Sequence, residues 1–145
     1  MKQYAGNACG TIAAFHAIAN AANTQQDLIS KGSYFEKYLD NTKKLSYEDR
    51  GNYFKKDKTL QEAHTKAVHE GKTEVQEEVN THFIAFVEVD GTLYELDGRK
   101  SAPINHGACQ SNELLSKACG VIQKFMERDP GEVRFTMMAL AKTEA

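Results

Sequence analysis

Gln3-Tyr4-Ala5-Gly6-Asn7-Ala8-Cys9-Gly10-Thr11-Ile12 is the stretch around which the remaining residues arrange themselves. A cysteine stands between small residues where an unbroken apolar run begins, Cys9-Gly10-Thr11-Ile12-Ala13-Ala14-Phe15-His16-Ala17-Ile18-Ala19, which fades at Asn20. Its apolar residues point in every direction around a helix, so a buried helix is expected rather than an amphipathic one. A cysteine that opens a helix meets free backbone N–H groups and the positive end of the helix dipole. The thiolate is the nucleophile, and this is one setting in which it forms. The other reading is that Cys9 is a small packed residue, as most unpaired cysteines are. A nucleophilic reading needs a histidine from elsewhere in the chain.

Composition bounds the answer loosely. At 145 residues the chain is long enough for one domain with a real core. No apolar run approaches the roughly 18 residues a membrane helix needs, and no signal-peptide pattern opens the chain. The three cysteines, Cys9, Cys109 and Cys119, form no CxxC pair, which argues against a disulfide framework or a zinc site. A soluble domain of the reducing cytoplasm is expected, with the nucleus as a second location. A net charge of −2 argues against nucleic acid as the main partner. No cofactor is implied, and no Cys or His pair has metal-ligand spacing.

Beyond Asn20, residues 20–32 read as a loop. Ser33 precedes Glu36, Ser46 precedes Asp49 and Thr59 precedes Glu62 by three residues each, at or near capping-box spacing. Short helices are expected near 34–41, 47–55 and 60–67, with Lys43, Lys44, Lys55, Lys56 and Lys58 on a solvated surface. Residues 69–81 have no period, which in a compact domain marks a functional loop or disorder. Glu70, Glu74, Glu77 and Glu78 make the segment acidic: either plain solvation, or an acidic lid for a basic substrate. Residues 82–96 then read as a hairpin turning at Asp90-Gly91, one of the strongest short-range turn signals. Both of its faces are largely apolar, so its strands are expected inside the domain. A loop is expected over 98–111 and a helix near 112–127, with Leu114, Leu115, Ala118, Val121, Ile122, Phe125 and Met126 on one face. Asp129-Pro130-Gly131 would lead into a last strand over 132–141.

Five histidines could serve Cys9 as a base. His16 lies seven positions along the same helix, about 10 Å away at 1.5 Å per residue, and cannot reach. His64 and His69 fall at a helix end and in the loop without evident partners, and His106 has no carboxylate close in sequence. His82 differs. With a two-residue turn, Val89 pairs with Thr92, and counting back sets Ile84 opposite Asp97. His82 shares the face of Ile84. Asp97 is then its diagonal neighbour at about 7–8 Å, within reach of a hydrogen bond. A longer turn or a bulge would move Asp97 to the other face, leaving a strand-end histidine and a turn-forming Asp-Gly. Together with Cys9, the pair favours a Cys-His-Asp hydrolase.

These residues resemble the ubiquitin carboxyl-terminal hydrolases, papain-like cysteine peptidases. The resemblance rests on Gln3-x5-Cys9-Gly10-Thr11-Ile12 with His16-Ala17-Ile18-Ala19-Asn20, and on His82-Phe83-Ile84 with Asp90-Gly91-x-Leu93-Tyr94-Glu95-Leu96-Asp97-Gly98-Arg99. It continues through Pro103-Ile104-Asn105-His106-Gly107 and Phe125-Met126-Glu127-Arg128-Asp129-Pro130, and is closest to the small single-domain members that trim ubiquitin precursors and adducts. It implies Cys9 as nucleophile, His82 as general base and acid, Asp97 as the group orienting His82, and Gln3 as an oxyanion donor beside the backbone N–H of Cys9. It also implies ubiquitin, joined at its terminal glycine to a peptide, amine or thiol, as the substrate. The 69–81 loop would cross over the active site, and Glu70, Glu74, Glu77 and Glu78 would draw in the basic ubiquitin tail.

The fold implied is α+β: a central, mainly antiparallel sheet with helices on both sides, containing the 82–96 hairpin and the 132–141 strand. Residues 1–145 would form one catalytic domain. Family members carry a substantial stretch before this motif, so the chain is expected to lack the family's amino-terminal segment and the strands it supplies. The runner-up is a truncated form, weak or inactive in catalysis, that binds ubiquitin. A third reading, another Cys-His-Asp acyl transferase of the transglutaminase or arylamine acetyltransferase type, is opposed by the Gln-x5-Cys-Gly-Thr block.

Overall fold

The structure is a computed structural model, and it describes residues 1–25, 27–70 and 81–141. Helices α1 (Cys9–Ala21), α2 (Tyr34–Thr42), α3 (Tyr47–Lys56) and α4 (Lys58–Glu70) come first. Strands β1 (Ala85–Val89), β2 (Thr92–Leu96) and β3 (Ile104–Ala108) follow, then a 3-10 turn and helix α5 (Leu114–Met126).

Local chemistry sets several boundaries. The Ser33 hydroxyl accepts from the Glu36 N–H at 3.2 Å and opens α2, and Ser46 accepts from Asp49 at 3.0 Å and opens α3. Each fills one of the donors a helix start leaves open, worth about 1 kcal/mol. The third start differs from the expectation. Asp57, not Thr59, caps α4 by accepting from the Leu60 N–H at 3.2 Å, and the same residue ends α3. With an acceptor available two residues earlier, α4 begins sooner, and it runs on through His69 to Glu70.

Asp90 and Gly91 both have positive φ, 50° and 75°, the geometry of the two-residue turn that matches strand twist. The register follows from it: Val89 pairs with Thr92 and Ala85 with Leu96, antiparallel. The 98–111 loop does not hold throughout, because 104–108 forms β3 on the free edge of β2, with a register irregularity between Thr92 and Tyr94. Its sequence, Ile-Asn-His-Gly-Ala, has no alternation and all five residues are exposed, so pairing rather than a hydrophobic face makes this strand. The last strand expected over 132–141 is not formed: the segment joins no sheet, and Val133 and Met138 are 84% and 88% exposed. A strand exists only by pairing, and among the described residues nothing pairs with this segment.

The pleat separates two faces. Phe86, Leu93 and Glu95 share one, where Leu93 packs with Cys109 and Ala118 beneath α5. Ala85 and Val87 share the other, and α1 lies against β1 there. Helices therefore flank the sheet on both sides. A second core gathers Ala8, Ile12, Tyr38, Phe54 and Leu60, with the Phe15 ring edge-on to Tyr38 and Phe54 at 5.1 and 5.8 Å. Helix α1 is less enclosed than its composition suggests. Only Cys9 and Ile12 are buried, and Ala14 is exposed, because α1 meets the sheet and the helical core along part of its circumference.

Candidate active site

His82 stands just before β1 and Asp97 just after β2, so the hairpin register brings them together at its open end. An ionised carboxylate can only accept, so His82 donates from Nε2 to Asp97 Oδ1, at 2.7 Å. The Arg99 N–H donates to the same oxygen at 2.8 Å. Burial alone would raise the Asp97 pKa, but the Arg99 amide, the His82 ring and the Lys100 charge outweigh it and hold the carboxyl below its ordinary value. With Nε2 carrying the proton, Nδ1 is the lone-pair nitrogen. It is buried and has no hydrogen-bond partner among the described residues.

Cys9 is the first residue of α1 and is 8% exposed. Ala8 precedes it and, among the described residues, no side chain caps the helix, so no capping oxygen there consumes the first-turn amides. A Cβ on Gly10 would lie 3.6 Å from the Phe83 ring, at ordinary van der Waals distance, so the residue following His82 lies beside the residue following Cys9 at the start of α1.

Gln3 is anchored by its backbone, its N–H donating to Gly98 O at 2.8 Å. Its side-chain Nε2 donates to Ala5 O at 3.2 Å, while Oε1 is buried without a partner among the described residues. A Cβ on Gly98 would sit 2.9 Å from Gln3 Cβ, so only glycine allows this approach. Gln3 and Asp97 thus meet the same short turn, residues 97–100.

Glu70 is exposed in the last turn of α4, 3.7 Å from Lys66 Nζ. Glu74, Glu77 and Glu78 lie outside the described residues. His16 bonds through Nε2 to the Met1 amine at 2.8 Å, and burial, with that neighbouring positive charge, pushes its pKa down to about 4. His64 and His106 do have partners, which sequence proximity did not reveal. His64 Nδ1 pairs with Thr11 Oγ1 at 2.9 Å, and His106 Nε2 donates to Glu95 Oε2 at 2.8 Å. Glu95, 1% exposed, also accepts from Lys100 Nζ. Among the described residues, no three His, Cys, Asp or Glu side chains converge as a metal site would.

The chain matches the family model described as "Ubiquitin carboxyl-terminal hydrolase, family 1" over residues 1–127. It is 48% identical over 142 residues to ubiquitin carboxyl-terminal hydrolase isozyme L1 of Rattus norvegicus, a match covering 98% of this chain and 63% of that protein. The Homo sapiens isozyme L1 is 47% identical with the same coverage. The chain therefore spans under two thirds of the length of these curated relatives. Among solved structures, the Trichinella spiralis UCH37 catalytic domain bound to ubiquitin vinyl methyl ester superposes with a TM-score of 0.74 at 26% identity, over 92% of this chain and 58% of that one. A family match over most of the chain and a shared α+β framework agree with the residues gathered at the hairpin's open end: the chain belongs to ubiquitin carboxyl-terminal hydrolase family 1.

Proposed function

We propose that the chain is a thiol-dependent hydrolase that cleaves ester, thioester, amide or peptide bonds at the carboxyl-terminal glycine of ubiquitin. The observation that carries this reading is the His82–Asp97 hydrogen bond, which leaves a buried Nδ1, without a partner among the described residues, beside the start of α1. In this scheme the Cys9 thiol gives its proton to His82 Nδ1 as sulfur attacks the glycine carbonyl. Gln3 Nε2 and the Cys9 N–H donate to the resulting oxyanion. His82 returns the proton to the leaving group as its bond to carbon breaks, giving a thioester. Water then attacks, loses a proton to His82, and releases the Cys9 thiol. Asp97 fixes the tautomer and stabilises the imidazolium. No cofactor takes part.

Support for the substrate comes from the relatives: their names describe ubiquitin carboxyl-terminal hydrolases, and the UCH37 structure is bound to a ubiquitin derivative. Glu70, Glu74, Glu77 and Glu78 supply an acidic field for the basic tail of ubiquitin. The cytoplasm, and the nucleus beside it, suit three free cysteines.

A second reading, ubiquitin binding with little turnover, is favoured by one observation: one of the two N–H donors of Gln3 Nε2 is taken by Ala5 O. Hydrolysis of ubiquitin bearing a fluorogenic group at its carboxyl end separates the two. Turnover that vanishes in Cys9→Ala establishes the hydrolase. Saturable binding of ubiquitin without turnover establishes the binder.

A further inference from the structure

The turn at residues 97–100 has every carbonyl occupied. Asp97 O accepts from the Lys100 N–H at 3.1 Å, Gly98 O from the Gln3 N–H at 2.8 Å and Arg99 O from Lys2 Nζ at 3.3 Å. Lys100 O accepts from the Tyr47 hydroxyl, which also lies 3.4 Å from Gly98 O. Three of these four partners are backbone groups or a flexible lysine. Tyr47 alone is a rigid side chain reaching in from another element.

Tyr47 also grips the other side of the site. Its carbonyl accepts from the Lys2 N–H at 3.2 Å, one residue before Gln3. Four residues further along α3, a Cβ on Gly51 would fall 2.2 Å from Lys2 O and 2.9 Å from the Tyr4 ring. The first turn of α3 is therefore seated directly on residues 2–4, with glycine at the closest approach. From this seat the Tyr47 ring spans to the turn that carries Asp97. Burial, and then the Asp97 carboxylate, raise the pKa of the Tyr47 hydroxyl above its ordinary value, so it keeps its proton and stays a donor across neutral pH.

We infer that Tyr47 is a positioning residue: its hydroxyl and carbonyl tie the Asp97 turn to the Gln3 segment, fixing the His82-orienting carboxylate and the oxyanion donor relative to each other. The inference rests on the roles proposed above for Asp97 and Gln3. Small displacements of such groups are expensive in rate, up to about 100-fold for 1 Å. Tyr47 touches no reacting atom, so its effect falls on kcat and leaves substrate binding alone.

The test uses the full chain as Tyr47→Phe, with Tyr53→Phe as the control. Tyr53 is on the same helix, and among the described residues its hydroxyl bonds only to Asn41. Two quantities are read well below the melting temperature of each variant: the downfield His82 Nε2 proton by NMR of the 15N-labelled chain, and steady-state kinetics on the fluorogenic ubiquitin substrate. For Tyr47→Phe the proton should move upfield or broaden, and kcat should fall about tenfold with KM within about twofold. Tyr53→Phe should match the wild type in both. A proton resonance unchanged by Tyr47→Phe, or lacking in the wild type, overturns the inference, as does a loss carried by KM. A wild type that shows the proton but never turns over ubiquitin removes the hydrolase reading, and the proton's response to Tyr47→Phe still decides the role of Tyr47.

Discussion

His82 donates to Asp97 across the open end of a hairpin whose closed end is Asp90-Gly91, with Asp90 eight positions after His82 and Gly91 six before Asp97. The relationship is a counting consequence of the turn: two residues with positive φ fix the pairing, and the pairing fixes which side chains share a face. It also fixes which imidazole nitrogen carries the proton.

Replacing Asp97 with alanine should therefore slow the chemistry even with Cys9 intact. Loss of the correct tautomer and of imidazolium stabilisation is expected to lower kcat by about 10²-fold or more, with KM little changed. Steady-state kinetics checks it, and unaltered turnover removes Asp97 from the mechanism.

The same carboxyl makes stability depend on pH in a defined direction. Its folded pKa is depressed, so ionised Asp97 contributes stability that is complete above the ordinary carboxylate value and is lost as pH falls through the folded value. Wild type should melt above Asp97→Asn near neutral pH, and the gap should close on acidification to below the ordinary carboxylate range. Calorimetry across that range reads both limbs, and a gap that widens in acid contradicts the assignment.

Gly98→Ala tests the approach of the turn to Gln3. A methyl group 2.9 Å from Gln3 Cβ forces the two segments apart. Overpacking of this kind costs about 1–3 kcal/mol, measurable by urea denaturation. Because the displaced residue is the proposed oxyanion donor, kcat should drop about tenfold or more beyond what the stability loss explains.

Glu95 is buried between two hydrogen-bonding partners, Lys100 and His106. Glu95→Ala strands the groups that converge on it and should destabilise the fold by about 2–4 kcal/mol, somewhat below the usual figure for a broken buried pair because Lys100 keeps access to water. Lys100→Ala leaves Glu95 its bond to His106 and should cost less. Equal losses in urea denaturation would show that His106 holds nothing.

Neutralising Glu70, Glu74, Glu77 and Glu78 together to glutamine should raise KM for the ubiquitin substrate by a few-fold at low salt and flatten its salt dependence, since long-range attraction fades with ionic strength. A KM that keeps its wild-type salt profile removes the acidic field from substrate capture.

What the sequence made legible was local. Ser33 and Ser46 announce α2 and α3 because a cap is a contact between residues three apart, and Asp90-Gly91 announces the hairpin because the turn needs two positive φ values. The His82–Asp97 contact follows by counting from that turn. Contacts made by the fold were not legible. β3 carries no strand pattern and forms because β2 offers it an edge. The segment 132–141, expected as a strand after the Asp129-Pro130-Gly131 turn, has no partner among the described residues. Tyr47 gave no signal at all, since its contacts at Gly98 and Lys100 lie 51 and 53 positions away. Propensity marks where an element can form, and pairing decides whether it does.

Asp57 has a consequence for how the helical half of the molecule moves. This one residue ends α3, accepts from the Leu60 amide at the start of α4, and receives the hydroxyl of Tyr34 from α2. Opening any one of the three helices at that end strips a partner from the junction shared by the other two. Their amide protons should consequently exchange with solvent as a single cooperative unit, on one opening free energy, instead of fraying helix by helix.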